Sequence, residues 1–259
     1  MIKVIKVGGA VVEDPTQLNI LLDEFVKVEG PKVLVHGGGR TATNLAKQLG
    51  IKSQMVGGRR ITDAEMLKVV TMVYGGLVNK NIVAQLQARG INALGLTGAD
   101  MNIVQAHRRP ITPEGIDFGF VGDVDSANGA TLQQILAMSI TPVIAPLTHD
   151  GQGHLLNINA DTMAQTVAVA LAKCANGQCP LTLTFCFELP GVLRDPSDPS
   201  SLIPRITEPE FRALVADGTI SGGMIPKLDN AFKAIHDGVT CVRITSINGL
   251  QGGTVLVKS

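Results

Sequence analysis

The sequence is poor in aromatic residues and has no excess of either charge. Its 259 residues include no tryptophan and one tyrosine, and 22 lysines and arginines balance 22 aspartates and glutamates. Nucleic-acid binding proteins normally combine a positive surface with aromatic side chains on which bases stack. We therefore expect no nucleic acid among the partners of this chain.

Long apolar segments are also missing. Nowhere do eighteen apolar residues follow one another, and Met1 leads straight into strand-like sequence, without a signal-peptide core or cleavage site. These absences predict a soluble cytoplasmic protein with no membrane partner. Hydrophobic residues still form 45% of the chain, which is enough for a full core in one large domain or two lobes.

Cysteine is scarce, with four residues in all. The spacing of Cys174 and Cys179 suits a zinc site, but Cys186 and Cys241 stand alone in apolar stretches, and no pair of histidines completes four ligands. We predict reduced, mostly buried thiols, with no disulfide and no metal ion bound directly by the protein.

Short apolar strands alternate with helical patterns along most of the chain. A strand over residues 2–7 precedes a helix with apolar residues from Leu18 to Val26, and a strand over 32–35 precedes a second helix. This alternation predicts an α/β fold, an αβα sandwich around a central, mainly parallel sheet, with ligands at the carboxyl ends of the strands. A change in composition at Asn176-Gly177 predicts two lobes that share the sheet, residues 1–175 and residues 176–259.

Turn residues and apolar spacing predict the other elements. Gly57-Gly58 indicates a hairpin within residues 51–61, and Asp63 caps a long helix that ends at Gly90. The apolar stripe of this helix, which includes Leu77, is compatible with burial inside the monomer or with a subunit interface. Further strands are predicted at 91–96, 103–107, 118–121, 142–145, 181–187, 239–244 and 254–257, and further helices at 131–137, 157–171, 209–216 and 226–236.

Two glycine-rich turns close the first two strands. Lys6-Val7-Gly8-Gly9 ends the first strand and His36-Gly37-Gly38-Gly39 ends the second, each ahead of a helix. Glycine lets backbone N–H groups approach an anion, and a helix start directs the positive end of its dipole at the same point. Two such turns at neighbouring strand ends predict a double cradle for a phosphoryl group. Lys6 beside the first turn and Lys227 near a later Gly-Gly pair are the candidate positive charges.

Two common phosphate-binding motifs fit less well. The Walker A pattern G-x-x-x-x-G-K-[ST] does not occur in the chain. Gly37, Gly39 and Ala42 formally satisfy the dinucleotide pattern G-x-G-x-x-A, and Asp63 lies at a suitable distance downstream. However, Asp63 precedes a helix, where a cap is expected, instead of ending a strand. The dinucleotide fold is therefore the weaker alternative.

Five motifs occur in the order found in one kinase family. They are Lys6-x-Gly8-Gly9, His36-Gly37-Gly38-Gly39, Arg60-Ile61-Thr62, Asn157-x-Asn159-Ala160-Asp161 and Gly222-Gly223-Met224-x-x-Lys227. They span nearly the whole chain, which resembles the acetylglutamate kinases of the amino acid kinase family more than the carbamate, aspartate or uridylate kinases. The resemblance implies ATP-dependent phosphorylation, with Mg²⁺, of the γ-carboxylate of N-acetyl-L-glutamate to N-acetyl-L-glutamyl 5-phosphate in arginine biosynthesis.

The resemblance also implies roles for individual residues. Lys6 and Lys227 would flank the phosphoryl group, Lys227 would also contact the nucleotide, and Asp161 would lie between the two lysines. Backbone N–H groups would come from the glycine turns, at Gly8, Gly9, Gly38 and Gly39. Arg60 and Asn157 would hold the α-carboxylate of the amino-acid substrate.

No general base is expected, because the nucleophile is the γ-carboxylate of the substrate, whose reference pKa of about 4.3 leaves it ionised at neutral pH. His36 belongs to a glycine turn, and the four other histidines have no recurrent spacing. A solvated or core role is expected for those four.

Two departures from the family pattern have consequences. Glu188-Leu189-Pro190-Gly191-Val192 has glutamate where relatives commonly have aspartate, so the nucleotide contact there is expected to be rearranged or lost. The chain also begins directly at its first strand, without the N-terminal helix of arginine-inhibited hexameric relatives. We therefore predict a homodimer that is insensitive to arginine.

Two alternatives to the acetylglutamate reaction are open. Lys52, Arg59 and Arg60 cluster at the predicted hairpin and could meet an additional carboxylate, so N-succinyl-L-glutamate or another amino acid kinase substrate is an alternative acceptor. From a different class comes a non-catalytic nucleotide-binding sensor or storage protein of the same fold.

Overall fold

A computed structural model describes residues 1–174 and 179–258 of the chain. The Asn176-Gly177 turn, where the lobe boundary is predicted, lies outside the described residues. The strands of the described part are β1 (Ile2–Val7), β2 (Lys32–His36), β3 (Gln54–Val56), β4 (Arg59–Ile61), β5 (Ala93–Leu96), β6 (Val104–Arg108), β7 (Gly122–Ala127), β8 (Thr141–Ile144), β9 (Leu147–His149), β10 (Leu155–Asn157), β11 (Leu181–Phe187), β12 (Arg205–Thr207), β13 (Cys241–Ser246) and β14 (Thr254–Val257).

The helices alternate with these strands. They are α1 (Gly9–Glu13), α2 (Pro15–Lys27), α3 (Gly39–Gln48), α4 (Ala64–Val70), α5 (Asn79–Gln87), α6 (Gly129–Ala137), α7 (Ala160–Cys174), α8 (Glu208–Ala216) and α9 (Met224–His236). Short 3₁₀ turns occur at Asp100–Asn102 and Pro199–Ser201. No helix in the described part of the chain has both the length and the apolar character that a membrane crossing requires.

A central sheet of eight strands organises the molecule. Its order is β12-β14-β13-β11-β1-β2-β8-β5, and every neighbouring pair is parallel except β13 with β14. The predicted α/β fold with a mainly parallel sheet is therefore confirmed. Strands β11 to β14 join strands from the first part of the chain through the pairing of β11 with β1.

Each face of the sheet carries its own hydrophobic layer. Alternate residues of β1 point to opposite faces, so that Val4 packs with helices α6 to α9 and Ile5 packs with helices α1 to α5. Val35 and Leu34 of β2 divide in the same way. The result is the predicted αβα sandwich.

A second sheet was not predicted. Four short strands, in the order β10-β9-β6-β7, form it. The strand expected at residues 118–121 is wrong: these residues make only isolated bridges, and β7 begins at Gly122. The sequence of β7, Gly-Asp-Val-Asp-Ser-Ala, lacks the apolar alternation that marks a strand, while β9 and β10 have only three residues each.

The long helix is confirmed in extent but not in regularity. Asp63 accepts a hydrogen bond from the Met66 N–H and caps α4, and the helix continues to the end of α5. Residues Thr71–Val78 between α4 and α5 form a π-helix, whose wider turn rotates the following side chains. Leu77, expected in the buried stripe, is therefore 62% exposed, while Tyr74 is buried.

A buried histidine ends strand β2. His36 has no exposed surface; its Nδ1 lies 2.7 Å from Gly37 O, and its Nε2 lies 3.1 Å from Asn79 Nδ2 of α5. Burial lowers the pKa of His36 to about 4, although the hydrogen bond to Gly37 opposes the shift. His36 is therefore neutral at physiological pH.

The lowered pKa of His36 predicts a loss of stability in mild acid. Below about pH 6.5 the unfolded chain protonates this histidine, whereas the folded chain does so only near pH 4. We expect the free energy of unfolding to fall as the pH is lowered through this interval, by up to about 3 kcal/mol. Urea unfolding curves of the native protein and of His36→Gln measure it. The variant should show a smaller decline, and equal declines in both proteins would contradict the prediction.

Candidate active site

The two glycine turns meet at the carboxyl edge of the sheet. Val7 of β1 pairs with His36 of β2 on one side and with Cys186 of β11 on the other. The chain segments that leave these three strands therefore start side by side. Two of them are the glycine turns, as predicted, and the third leads to Phe187.

Their backbones touch without intervening side chains. A Cβ on Gly9 would lie 3.1 Å from the backbone N of both Gly38 and Gly39, and a Cβ on Gly37 would lie 2.8 Å from the N of Gly9. Helix α1 begins at Gly9 and α3 begins at Gly39. The free N–H groups of both helix starts thus collect at one point, which is the arrangement an anion requires.

Lys6 and Asp161 form an ion pair beside the glycine turns. Lys6 lies near the end of β1 with 11% of its side chain exposed, and its Nζ is 2.8 Å from Asp161 Oδ1. Asn159 Oδ1 accepts the Asp161 N–H at 2.7 Å and fixes the first turn of α7. Asp161 Oδ1 is shielded from solvent and accepts no hydrogen bond of good geometry from the described residues. The contact is therefore an ion pair by distance, without hydrogen-bond alignment.

Lys227 reaches the same region from the C-terminal part of the chain. It stands in the first turn of α9, and its Nζ lies 4.2 Å from the ring centroid of Phe187, a cation–π contact. Lys227 lines one cavity together with Lys6 and Gly8, and an adjoining cavity together with Asp161. The structure thus brings both predicted lysines and the predicted aspartate to one region.

Arg60 comes from the hairpin, whose Gly57-Gly58 turn has positive φ at both residues, as predicted. The guanidinium is buried, and its Nη2 donates to Gly39 O at 2.8 Å and to Thr43 Oγ1 at 2.9 Å. Its Nη1 donates to Ser53 Oγ. Arg60 therefore ties the hairpin to the second glycine turn, and only part of its five-donor fork is left for a ligand.

Asn157 ends strand β10 and does not lie in a helix; α7 starts at Ala160, three residues later than predicted. Its Nδ2 donates to Thr62 Oγ1 at 3.0 Å, and Thr62 Oγ1 donates to the carbonyl of Arg60. The amide of Asn157 is thereby oriented by the chain segment that carries Arg60.

One cavity joins the predicted acceptor residues to the phosphoryl cradle. Its lining includes Lys6, Gly9, Gly38, Gly39, Arg60 and Asn157. Apolar side chains, among them Met55, Val121 and Ile158, and the guanidinium of Arg59 complete it. Such a cavity can hold a small molecule with both an anionic and an apolar part.

Glu188 is exposed and lines the cavity that contains Lys6 and Lys227. It thus lies in the region where the sequence departs from the family pattern.

The cysteines are free thiols, but only Cys186 is fully buried, so the prediction of mostly buried thiols is wrong for the other three. Burial raises the pKa of the Cys186 thiol to about 12, which keeps it protonated.

Tyr74 and Phe187 were missed by the sequence reasoning. A Cβ on Gly38 would lie 2.9 Å from Cδ1 of Tyr74, so the tyrosine ring closes the back of the second turn. Burial raises the pKa of the Tyr74 hydroxyl, and the neighbouring guanidinium of Arg60 opposes the rise. Helical spacing places Tyr74 in the apolar stripe of the long helix and so predicts its burial, but not its contact with the second glycine turn.

Asp63 removes the dinucleotide alternative. Its carboxylate caps α4 and follows a strand of the small hairpin, not a strand of the central parallel sheet, at whose end a ribose hydroxyl would be met. The four other histidines are at least partly exposed, and three of them face carboxylates: His107 with Asp125, His154 with Asp150, and His236 with Glu208.

Known proteins share this organisation along the whole chain. Residues 1–246 match the model of the amino acid kinase family. Acetylglutamate kinase of Phocaeicola vulgatus is 58% identical over 257 residues, covering 98% of both chains, and acetylglutamate kinase of Bacteroides fragilis is 57% identical, covering 98% of this chain and 96% of that one. The crystal structure of smu.665 from Streptococcus mutans has a TM-score of 0.75 at 28% identity, covering 100% of this chain and 99% of that one. The chain belongs to the amino acid kinase family.

Proposed function

We propose that this chain transfers the γ-phosphoryl group of ATP to the γ-carboxylate of N-acetyl-L-glutamate, giving N-acetyl-L-glutamyl 5-phosphate for arginine biosynthesis. The observation that carries the proposal is the Lys6–Asp161 pair at the point where two glycine turns meet, with Lys227 lining the same cavity as Lys6. The relatives named acetylglutamate kinase, at 57–58% identity over nearly the whole chain, support the choice of substrate.

Positive charge around the phosphoryl group is the main requirement of this reaction. Charge spreads over the three equatorial oxygens in the transition state, and preorganised donors stabilise it without reorganising. In our proposal Lys6 meets the equatorial oxygens, and Lys227 meets the leaving side and the nucleotide. Backbone N–H groups of the glycine turns add dipoles. Asp161 keeps Lys6 in place against the repulsion of Lys227.

Proton transfer has no role in this mechanism. The attacking γ-carboxylate is ionised at neutral pH, since its reference pKa is about 4.3. The histidine nearest to the cradle in sequence, His36, is buried, neutral and already hydrogen-bonded on both ring nitrogens. A base is not needed, and His36 is not placed to be one.

Mg²⁺ would arrive with ATP. The described residues contain no group of three histidine, cysteine or acidic side chains that could hold a metal ion on their own. Asp161 lines the same cavity as Lys227, and the exposed part of its carboxylate, whose Oδ1 is paired with Lys6, suits an ordered water of a hydrated cation. When bound, Mg²⁺ would neutralise part of the phosphate charge.

The acceptor's α-carboxylate is assigned to Arg60 and Asn157. Because Nη2 of Arg60 is committed to Gly39 and Thr43 and one N–H of Nη1 to Ser53, the second N–H of Nη1 and the Nε–H are the donors left for a carboxylate. The amide of Asn157 lines the same cavity. Because Arg60 also donates to Gly39 O, binding of the carboxylate to Arg60 would also affect the position of the second glycine turn.

The nucleotide is assigned to the C-terminal lobe, proposed as residues 176–259, with residues 1–175 forming the acceptor and phosphoryl lobe. One cavity is lined by Gly8 together with Lys227, Phe187, Leu189 and Met224, and its lining includes neither Arg60 nor Asn157. Glu188 at the same cavity brings a longer acidic side chain than the aspartate common among relatives.

N-succinyl-L-glutamate is retained as a second acceptor because Arg59 lines the acceptor cavity. Against it stand the apolar Met55, Val121 and Ile158, which suit an acetyl methyl group. The sensor hypothesis is weaker, since Lys6, Asp161 and Lys227 are all retained. The N-acetyl group is therefore our leading choice.

Hydroxamate trapping of the acyl phosphate tests the proposed function. We expect product with ATP, Mg²⁺ and N-acetyl-L-glutamate, and less with N-succinyl-L-glutamate, free glutamate or aspartate. A large preference for the succinyl compound would replace the acceptor. ATP binding without product from any acceptor would favour the sensor.

Lys6→Ala and Lys227→Ala are each expected to lower kcat about a hundredfold or more, because each removes a preorganised transition-state charge. Steady-state kinetics in the same assay measure the effect. Lys3→Ala, at the opposite end of β1, and Lys233→Ala, exposed on α9, are the matched controls and should keep full activity. Unchanged kcat in either site variant would refute the assignment of that lysine.

Arg60→Ala should chiefly raise KM for the amino acid, by about tenfold or more, because it removes a charge-assisted contact with the α-carboxylate. Arg60→Lys should recover only part of the loss, since a lysine lacks the planar fork. Arg89→Ala, whose guanidinium pairs with Asp23 on the surface, is the control. A defect confined to KM for ATP would show that Arg60 is misassigned.

We further propose a homodimer. Met72 and Leu77 on the π-helical segment are 52% and 62% exposed, an apolar face that a second copy would cover. Light scattering should give about twice the chain mass of 27.2 kDa, and Leu77→Asp should give a monomer. Met138→Asp alters an equally exposed residue at the end of α6 and should remain dimeric. A monomeric or hexameric native protein would disprove the proposal.

A further inference from the structure

Asn79 is a buried polar residue with no role in the mechanism above. It is 1% exposed and begins α5, directly after the π-helical segment. Its Oδ1 accepts from Lys80 Nζ at 3.1 Å, and an ammonium can only donate, so the oxygen of the amide is identified. Its Nδ2 then donates to Val143 O at 2.9 Å and to His36 Nε2 at 3.1 Å.

This amide fixes the tautomer of His36. Because Nε2 receives a hydrogen bond from Asn79, it carries no proton, and the proton of the neutral ring is on Nδ1. Nδ1 faces the carbonyl of Gly37 at 2.7 Å, and a carbonyl can only accept. His36 therefore donates to Gly37 O.

The direction of the next N–H group follows from peptide geometry. The peptide between Gly37 and Gly38 is planar and trans, so its carbonyl and its N–H point in opposite directions. With the carbonyl held by His36 beneath the turn, the Gly38 N–H points away from His36. On that side the Gly38 N approaches the first glycine turn, 3.1 Å from the position of a Cβ on Gly9.

We propose that Asn79, acting through the His36 ring, is a positioning residue that aims the Gly38 N–H at the transferring phosphoryl group. The proposal rests on the proposed phosphoryl transfer at this site. Lys80, Asn79, His36 and the Gly37–Gly38 peptide form one continuous chain of contacts, each with a single possible donor direction.

Two features of the structure serve this chain of contacts. The π-helix at Thr71–Val78 changes the phase of the long helix just before Asn79, so that a polar residue turns into the core. Gly95 of β5 leaves the space: a Cβ there would lie 2.0 Å from Asn79 Oδ1. Lys80 Nζ also donates to the carbonyl of Gly95 at 3.0 Å, which anchors the far end.

Asn79→Leu tests the proposal, since it keeps the number and branching of the side-chain heavy atoms but removes both N–H donors. We expect kcat in the hydroxamate assay to fall about tenfold, less than the roughly hundredfold loss when a donor is removed outright, with KM for both substrates changed less than about threefold. The ¹⁵N shifts of the His36 ring should move from the Nδ1-protonated pattern to a mixture. Asn79→Ala should act in the same direction if the leucine variant does not fold.

Ile82→Ala separates positioning from stability. Ile82 is fully buried in α5, and its apolar side chain cannot join the hydrogen-bonded chain of contacts. This variant should lose thermal stability but keep kcat within about twofold and keep the His36 tautomer. Native kcat in Asn79→Leu, or a kcat loss that merely parallels the fall in Tm in both variants, would overturn the proposal.

An NMR measurement that does not depend on product formation tests the positioning role separately from the proposed function. On addition of ATP with Mg²⁺, the Gly38 amide ¹H–¹⁵N signal should shift in the native protein and shift much less in Asn79→Leu. If no acylated glutamate gives product, the proposed function fails, while this shift still tests the aim of the Gly38 N–H. An equal shift in both proteins would overturn the positioning role.

Discussion

The contact between the two glycine turns is the constraint on which the rest of the site depends. Gly37 and Gly9 approach so closely that a Cβ on Gly37 would lie 2.8 Å from the backbone N of Gly9. This approach is possible only because β1 and β2 are parallel neighbours in register, which starts both turns from the same sheet edge. Backbone N–H groups of two helix starts then share one small space. An anion in that space relieves the crowding of positive dipole ends, so the fold itself creates a site that favours an anionic group.

Side-chain charges reach this point from distant parts of the sequence. Lys6 comes from the central strand, Asp161 from the start of α7 and Lys227 from the first turn of α9. The Lys6–Asp161 pair contributes little net stability, because only 11% of the Lys6 side chain is exposed and the cost of removing its ammonium from water offsets the attraction. Its effect is positional: an ammonium with a fixed carboxylate partner cannot swing away from the cradle. The same pair lowers the repulsion that a second ammonium would feel on entering the site.

Sequence reasoning reached those parts of the structure that local patterns encode. The strands β1, β2 and β11, the capped helix at Asp63 and the Gly57-Gly58 turn each have a periodicity or a turn residue that dictates them, and all were confirmed. The second sheet was missed although its strand β6 was predicted, because β9 and β10 have only three residues each and the polar sequence of β7 carries no strand pattern. The π-helix was missed because its i to i+5 pattern has no propensity signal. That one irregularity contains Leu77 and directly precedes Asn79, so the exposure of Leu77 and the role of Asn79 were beyond prediction, whereas the burial of Tyr74 followed from helical spacing.

The proposed reaction needs no proton transfer, which explains why the lysines of the site are charged while the buried His36 is neutral. A nucleophile that is already ionised leaves the protein one task, which is to hold positive charge and dipoles at fixed positions around a group carrying negative charge. Mobile protons would interfere with that task, since a histidinium under the turn would donate from both ring nitrogens and repel the Asn79 amide. Full burial of His36 prevents this by making its charged form costly. Burial of His36 therefore has two consequences. It lowers the free energy of unfolding in acid, and it keeps the peptide dipoles of the second glycine turn in one orientation at neutral pH.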